Sequence, residues 1–348
     1  MLHDATRALQ GPDAPQTLFP GHRRLAIPPG WPPTLLVVVD TEEEFNWHKP
    51  PDPESRSVQN IQCLPALQAV FDRHGVIPAY LVDHPVATCP DAVALLRSWA
   101  EHARCEIGAH LHPWVNPPAE EPVSPWHAYA CNLPPGLEYR KLACLTQTIQ
   151  DAFGLQPRIF RAGAYGIGSH TPGFLARLGY QVDSSVVPHS SFAATGGRDF
   201  SAYGPHPFQM TEGIVELPLT AGFAGSLSHV GPSLDPYLRC PVGTALHVAG
   251  IFARLRLLER LRLTPEDHSL ADMIRLARAA LARGQRLLML TLHSSSMLPG
   301  ATDYVRTEHD RTRFLARIDG FLRFFLQAGG HTATVSATAA ALQHPAQL

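Results

Sequence analysis

The chain has 348 residues, 45% hydrophobic and 17% charged, with 28 Lys plus Arg against 30 Asp plus Glu. That composition supplies a sizeable core and excludes a wholly disordered chain. The formal charge of −2 gives no electrostatic case for a nucleic-acid partner or a polybasic membrane contact. The 19 histidines invite a search for metal ligands.

Residues 1–33 are polar and Pro/Gly-rich, ending in Pro28-Pro29-Gly30-Trp31-Pro32-Pro33, and predict an irregular N-terminal arm. No signal peptide is expected, because the start lacks basic residues and an apolar stretch. No run approaches the ~18 apolar residues of a membrane span. Residues 34–342 predict one domain. Strands are expected at 35–40, 76–83, 105–112, 158–163, 180–187, 214–219, 286–293 and 332–336. Helices are expected at 61–74, 91–102, 139–153, 171–178, 270–282 and 307–327, several stopping at a glycine such as Gly154 or Gly284. Strands and helices alternate, and the strands read as continuous apolar runs, so parallel βα units covered on both faces are predicted. The fold class is α/β, a distorted (β/α) barrel of about seven to eight parallel strands, with a doubly wound open sheet as the alternative. Two stretches exceed ordinary connections. Residues 113–138 are Pro-rich, and residues 224–268 are Gly/Pro-rich, then basic and helical over 251–263. The six cysteines form no Cys-x-x-Cys pair, so reduced thiols in a cytoplasmic protein are expected.

Polar clusters close the strands. They are Asp40-Thr41-Glu42-Glu43-Glu44, His110-Leu111-His112, the run from Arg161 to Gly166, Asp183-Ser184-Ser185, and His293-Ser294-Ser295-Ser296. In a parallel barrel such ends converge on one face, where catalytic groups gather. Residues two apart on a strand face the same way, so Asp40 pairs with Glu42 and His110 with His112. Two imidazoles and a carboxylate with an open position match a catalytic zinc site. Glu43 or Glu44 reads as a solvated helix start, where acids favour the positive end of the dipole. Arg161 on an apolar strand needs a partner; a structural ion pair and the orientation of a catalytic carboxylate are both open. Gly163, Gly166 and Gly168 lack dinucleotide or P-loop spacing.

These motifs, in this order over residues 35–340, resemble the polysaccharide deacetylases, the NodB-homology group of metal-dependent carbohydrate esterases. The matching segments are Asp40 to Glu44, residues 106–114 (Glu106-Ile107-Gly108-Ala109-His110-Leu111-His112-Pro113-Trp114), 160–166 and Leu290 to His293. The wording at 39–45, 108–114 and 293–296, with Gly300 and Tyr304-Val305-Arg306 after it, is similar to a WalW-type branch linked to lipopolysaccharide biosynthesis. Three positions depart from the family pattern: Thr41 separates the two acids, the histidines are two rather than four apart, and Ala162-Gly163 stands for a double proline.

The resemblance implies hydrolysis of an N-acetyl group from a sugar. A Zn2+ ion, or Mn2+, Co2+ or Ni2+, would sit on Glu42, His110 and His112 and activate a water. Asp40, oriented by Arg161, would be the general base. The Tyr165 backbone N–H would stabilise the oxyanion, and His293 would be the general acid. The exchange of roles between Asp40 and Glu42 stays open. Trp47, Trp114 and Trp126 are candidates to stack on a sugar ring. Together with the expected compartment, the substrate would be a precursor of a cell-surface polysaccharide or lipopolysaccharide. Hydrolysis of a non-sugar C–N amide bond, and non-catalytic carbohydrate binding, are the alternatives.

Overall fold

The computed structural model describes residues 18–46, 48–238, 240 and 247–344. Its strands, in chain order, are β1 (Arg23–Arg24), β2 (Thr34–Thr41), β3 (Ala79–Val82), β4 (Glu106–Leu111), β5 (Ile159–Ala162), β6 (Val182–Asp183), β7 (Phe208–Gln209), β8 (Val215–Glu216), β9 (Ala221–Ala224), β10 (Glu259–Arg262), β11 (Leu287–His293) and β12 (His331–Thr332). The main sheet runs β1-β7-β8-β6-β5-β4-β3-β2-β11, with β12 also on β2. From β8 to β11 all neighbours are parallel, while β7 and β1 add antiparallel edge strands. β9 and β10 form a separate antiparallel pair.

Every residue of β2 is buried, as the apolar run predicts, and its alternation explains why. Leu35, Val37 and Val39 join the large core shared with the helices. Leu36 and Val38 face a smaller cluster with Leu81, Ile159, Val182, Leu217 and Met289, the interior of the curved sheet. Burial of two apolar faces, at about 1.5–3 kcal/mol per large side chain, fixes the register, since a one-residue slip would exchange them. The inner face then continues upward through Asp40, Gly108, His110, Arg161, Thr291 and His293. The ladder is not continuous around the barrel. On the far side of β11 a few bonds span the gap, Met289 N–H to Thr220 Oγ1 at 2.7 Å and Thr291 N–H to Leu263 O at 3.1 Å.

Helices lie at Leu64–Arg73, Pro90–Glu101, Pro135–Phe153, Thr171–Arg177, Leu270–Ala282 and Glu308–Gln327, near the expected places. Gly154, at φ 69°, ends the third of these. Several expectations change, among them the strand expected at 214–219, of which only β8 (Val215–Glu216) forms. The strand predicted over 180–187 shrinks to β6; just beyond it the Ser184 N–H still bonds Phe160 O at 3.0 Å, while the Ser184 and Ser185 hydroxyls accept from Arg161 and the Ala162 N–H. Residues 332–336 give only β12 before a helix, Val335–Gln343, capped by Thr334. The helix predicted over 251–263 stops at Arg254; Arg256 then takes φ 54°, and 259–262 pair with β9. Part of the N-terminal arm is ordered as β1, with Phe19 and Leu25 buried. Cys63, Cys89, Cys105, Cys131 and Cys144 form no disulfide, and among the described residues no helix is long and apolar enough to cross a membrane.

Candidate metal and catalytic site

The inner-face alternation delivers the acids and histidines to the C-terminal ends of β2, β4 and β11. His110 Nε2 and His112 Nε2 each lie 3.5 Å from Glu42 Oε2. Their other ring nitrogens are occupied, His110 Nδ1 by the Arg161 carbonyl at 3.1 Å and His112 Nδ1 by Glu43 Oε2 at 2.8 Å. That leaves both Nε2 atoms facing Glu42, whose Oε2 is buried and has no hydrogen-bond partner. Ligand histidines are commonly fixed in this way through the nitrogen that does not bind the metal. Trp114 stacks on His112 at 4.3 Å between ring centroids. Burial pushes the Glu42 carboxyl up to about 7 and the His112 imidazole down to about 4. Burial lowers His110 as well. A buried carboxylate between two neutral imidazoles is a site that a cation would complete.

Beside this triad, Arg161 donates from Nη1 to Asp40 Oδ1 at 2.7 Å. Its remaining N–H groups go to Ser184 O, Ser184 Oγ, Thr291 Oγ1 and Met289 Sδ. The ion pair is therefore structural and orienting at once. Burial alone would raise Asp40, but the charges of Arg161, His110 and His293 outweigh it and hold this carboxyl below its usual range. His293 Nε2 lies 3.7 Å from Asp40 Oδ2. On its other side, Nδ1 faces Glu266 at 2.9 Å, and Glu266 also accepts from the His293 N–H and from Ser296 Oγ. Burial opposes a charge on His293, yet Glu266, Glu42 and Asp40 raise it well above the ordinary histidine value.

Asp40, Glu42, His110, His112, Tyr165 and His293 line one cavity of about 510 Å³, with Arg161 beneath it. Ala164 and Tyr165 both take left-handed backbone, φ 50° and 60°, so Tyr165 stands at a strained turn, as groups at functional sites often do. Gly163 lets this turn approach His112, which accounts for a glycine where the family pattern has proline. Trp114 reaches the cavity, whereas Trp126 is 55% exposed and does not line it. Trp47 lies outside the described residues. Asp183 does not reach the mouth; it is buried at the register position of Glu216.

Sequence reasoning missed two acids. Glu43 is fully buried and holds His112 rather than facing solvent, and its N–H donates to Asp83 Oδ2 at 2.8 Å. Glu266 comes from the long 224–268 segment. Glu44, half-buried, caps Asn60.

Neither a protein-family profile nor a curated protein matches this sequence. Among solved structures, a Mycobacterium smegmatis protein assigned to the polysaccharide deacetylases superposes over 92% of this chain and 94% of its own, at 18% identity and TM-score 0.55. The fold is that of a polysaccharide deacetylase. A mutant carbohydrate esterase family 4 pseudoenzyme from Bacillus anthracis, with restored enzymatic activity, matches at 9% identity over 88% of this chain and 68% of its own. A GH57-type branching enzyme from Pyrococcus horikoshii matches at 10% over 87% and 69%. Their TM-scores of 0.44 and 0.46 add nothing to the deacetylase fold already assigned.

Proposed function

We propose that this chain is a metal-dependent hydrolase that removes an N-acetyl group from a sugar. The observation that carries this is the convergence of His110 Nε2 and His112 Nε2 on the partnerless Glu42 Oε2. Glu42, His110 and His112 would hold Zn2+, or Mn2+, Co2+ or Ni2+, and the ion, when bound, supplies Lewis acidity to the acetyl carbonyl and to water. Asp40 takes the proton of the attacking water. Arg161 occupies its Oδ1 and keeps the group charged, leaving Oδ2 towards the cavity. His293, held protonated by Glu266, gives its Nε2 proton to the departing amine. The Tyr165 N–H, at the strained turn, is the donor for the oxyanion.

The sequence motifs favour the WalW-type branch and, with it, a cytoplasmic precursor of a cell-surface polysaccharide or lipopolysaccharide as substrate. A cavity of about 510 Å³ lies within the roughly 300–1,000 Å³ that suits small ligands, which favours a small substrate over a finished polymer. The second reading is a non-sugar amide, favoured by the apolar wall of Phe45, Pro50, Pro51, Trp114 and Pro125. Elemental analysis followed by acetate release across N-acetylated sugars and simple acetamides tests both. A chain that binds no divalent metal, or releases acetate from none of them, ends the proposal; turnover of acetamides alone selects the second reading.

A further inference from the structure

Arg262, the last residue of β10, lines the catalytic cavity near Tyr165, Glu266 and Tyr304. A guanidinium has five N–H donors. Among the described residues this one makes a single side-chain hydrogen bond, Nη2 to Asp267 Oδ2 at 3.3 Å, at the long end of the range. Its backbone is fixed independently, by the pairing with Ala221 and by an N–H bond to His268 Nε2 at 3.2 Å. Other arginines near the barrel are committed: Arg161 as described, Arg283 to Phe223 O, and Arg317 to Pro265 O and His268 O. Lys49 lines the same cavity, and its ammonium makes no hydrogen bond or ion pair among the described residues.

The carboxylates of the cavity are in the opposite condition. Arg161 holds Asp40, His293 and Ser296 hold Glu266, and Glu42 belongs to the metal triad. Two cations with spare donors therefore meet no spare anion. Asp267, which accepts the hydrogen bond of Arg262, lines an adjoining groove of about 680 Å³ that shares Phe45, His48 and Tyr304 with the cavity. Arg262 thus stands where the two spaces join.

Resting on the deacetylase reading, we propose that the substrate carries an oxyanion, a phosphate or a carboxylate, which Arg262 binds with Lys49 at this junction. The planar fork of arginine suits either group, because two parallel N–H bonds match two anionic oxygens. The acetamide would then lie at the Asp40 and His293 end, and the charged substituent towards the groove.

The test compares N-acetylglucosamine, N-acetylglucosamine 1-phosphate and N-acetylmuramic acid as substrates of the metal-loaded protein. It is run on the parent and on R262M, R262K and K49M. The parent should prefer one charged sugar to the neutral one, and which sugar it prefers identifies phosphate or carboxylate. R262M should reduce that preference by about 10- to 100-fold, the range for hydrogen bonds to charged groups, chiefly through KM. R262K should restore part of it and K49M should lose less. Calorimetric titration with inorganic phosphate, on the same metal-loaded preparations, gives a readout independent of turnover. Phosphate binding that weakens in R262M supports the anion site even if no sugar releases acetate, a result that would fail the deacetylase reading alone. A parent that prefers the neutral sugar, or phosphate binding and sugar preference both unchanged in R262M, overturns the inference.

Discussion

Replacing Gly163 by alanine tests the site through sterics alone. The residue does not sit in left-handed backbone, so the effect does not come from glycine's conformational freedom. A Cβ here would lie 2.4 Å from His112 Cδ2 and 2.4 Å from Leu111 O, where ordinary contacts begin at 3.4 Å. The carbonyl belongs to β4 and cannot swing away. The imidazole is held on one side by Glu43 at 2.8 Å and stacked on Trp114 at 4.3 Å. About 1 Å of overlap must therefore be relieved by turning His112 or by parting β4 from the 163–165 turn. Overpacking of this kind costs about 1–3 kcal/mol, or roughly 1–4 °C in Tm for a chain of this size. Displacing a ligand imidazole should weaken metal binding about 10- to 100-fold, as loss of a ligand's supporting contact does. Gly136→Ala is the control: its nearest neighbour is 3.7 Å away in the first turn of a helix, and it should leave both readouts unchanged or raise Tm slightly. Differential scanning calorimetry and a chelator competition for zinc provide the measurements. G163A with the parental Tm and zinc affinity would refute the packing of the turn on His112.

Further expectations concern charge. Asp40→Asn should keep the metal and lose activity by about 10²–10⁴-fold, while Glu42→Gln should lose the metal itself; zinc content and acetate release on the two preparations decide, and the reverse pattern would exchange the roles. Glu266→Gln removes the charge that raises His293. A raised histidine stays protonated through neutral pH and loses its proton as pH rises, so this variant should bring the alkaline limb of kcat down in pH; an unmoved limb would remove His293 as the acid. Burial raises both Asp183 and Glu216; the neighbouring Asp183 carboxylate raises Glu216 further, while the hydrogen bond with Glu216 offsets part of the rise in Asp183. Their contribution to stability is full below the unfolded carboxyl range and is lost as pH rises through the folded values. Glu216→Gln should therefore gain Tm over the parent at pH 8, with the gap closing towards pH 4; equal gaps at both pH values would count against the buried acid pair.

The period-two pattern made much of this site legible, because it carries chemical identity and direction together. Leu36, Val38, Asp40 and Glu42 share one face, and so do Gly108, His110 and His112, so the same alternation that packs the interior aims the ligands. Nothing local marks the residues that hold them. Glu43 follows a strand as helix-start acids do, and only His112, 69 residues away, turns it into a buried partner. Glu266 sits in Thr264-Pro265-Glu266-Asp267, which reads as a turn before the helix Leu270–Ala282; its role depends on His293 arriving from β11. Arg262 was hidden more deeply, because the basic periodicity of 251–263 suits a helix until β9 claims residues 259–262 for a ladder. Tertiary pairing overrode local preference there, and in doing so it reversed the meaning of the side chain. On a helix Arg262 would be one charge on a solvated face. At the end of β10, four residues before Glu266, it stands at the cavity with most of its donors unused, so the strand pair beside the barrel also equips the cavity.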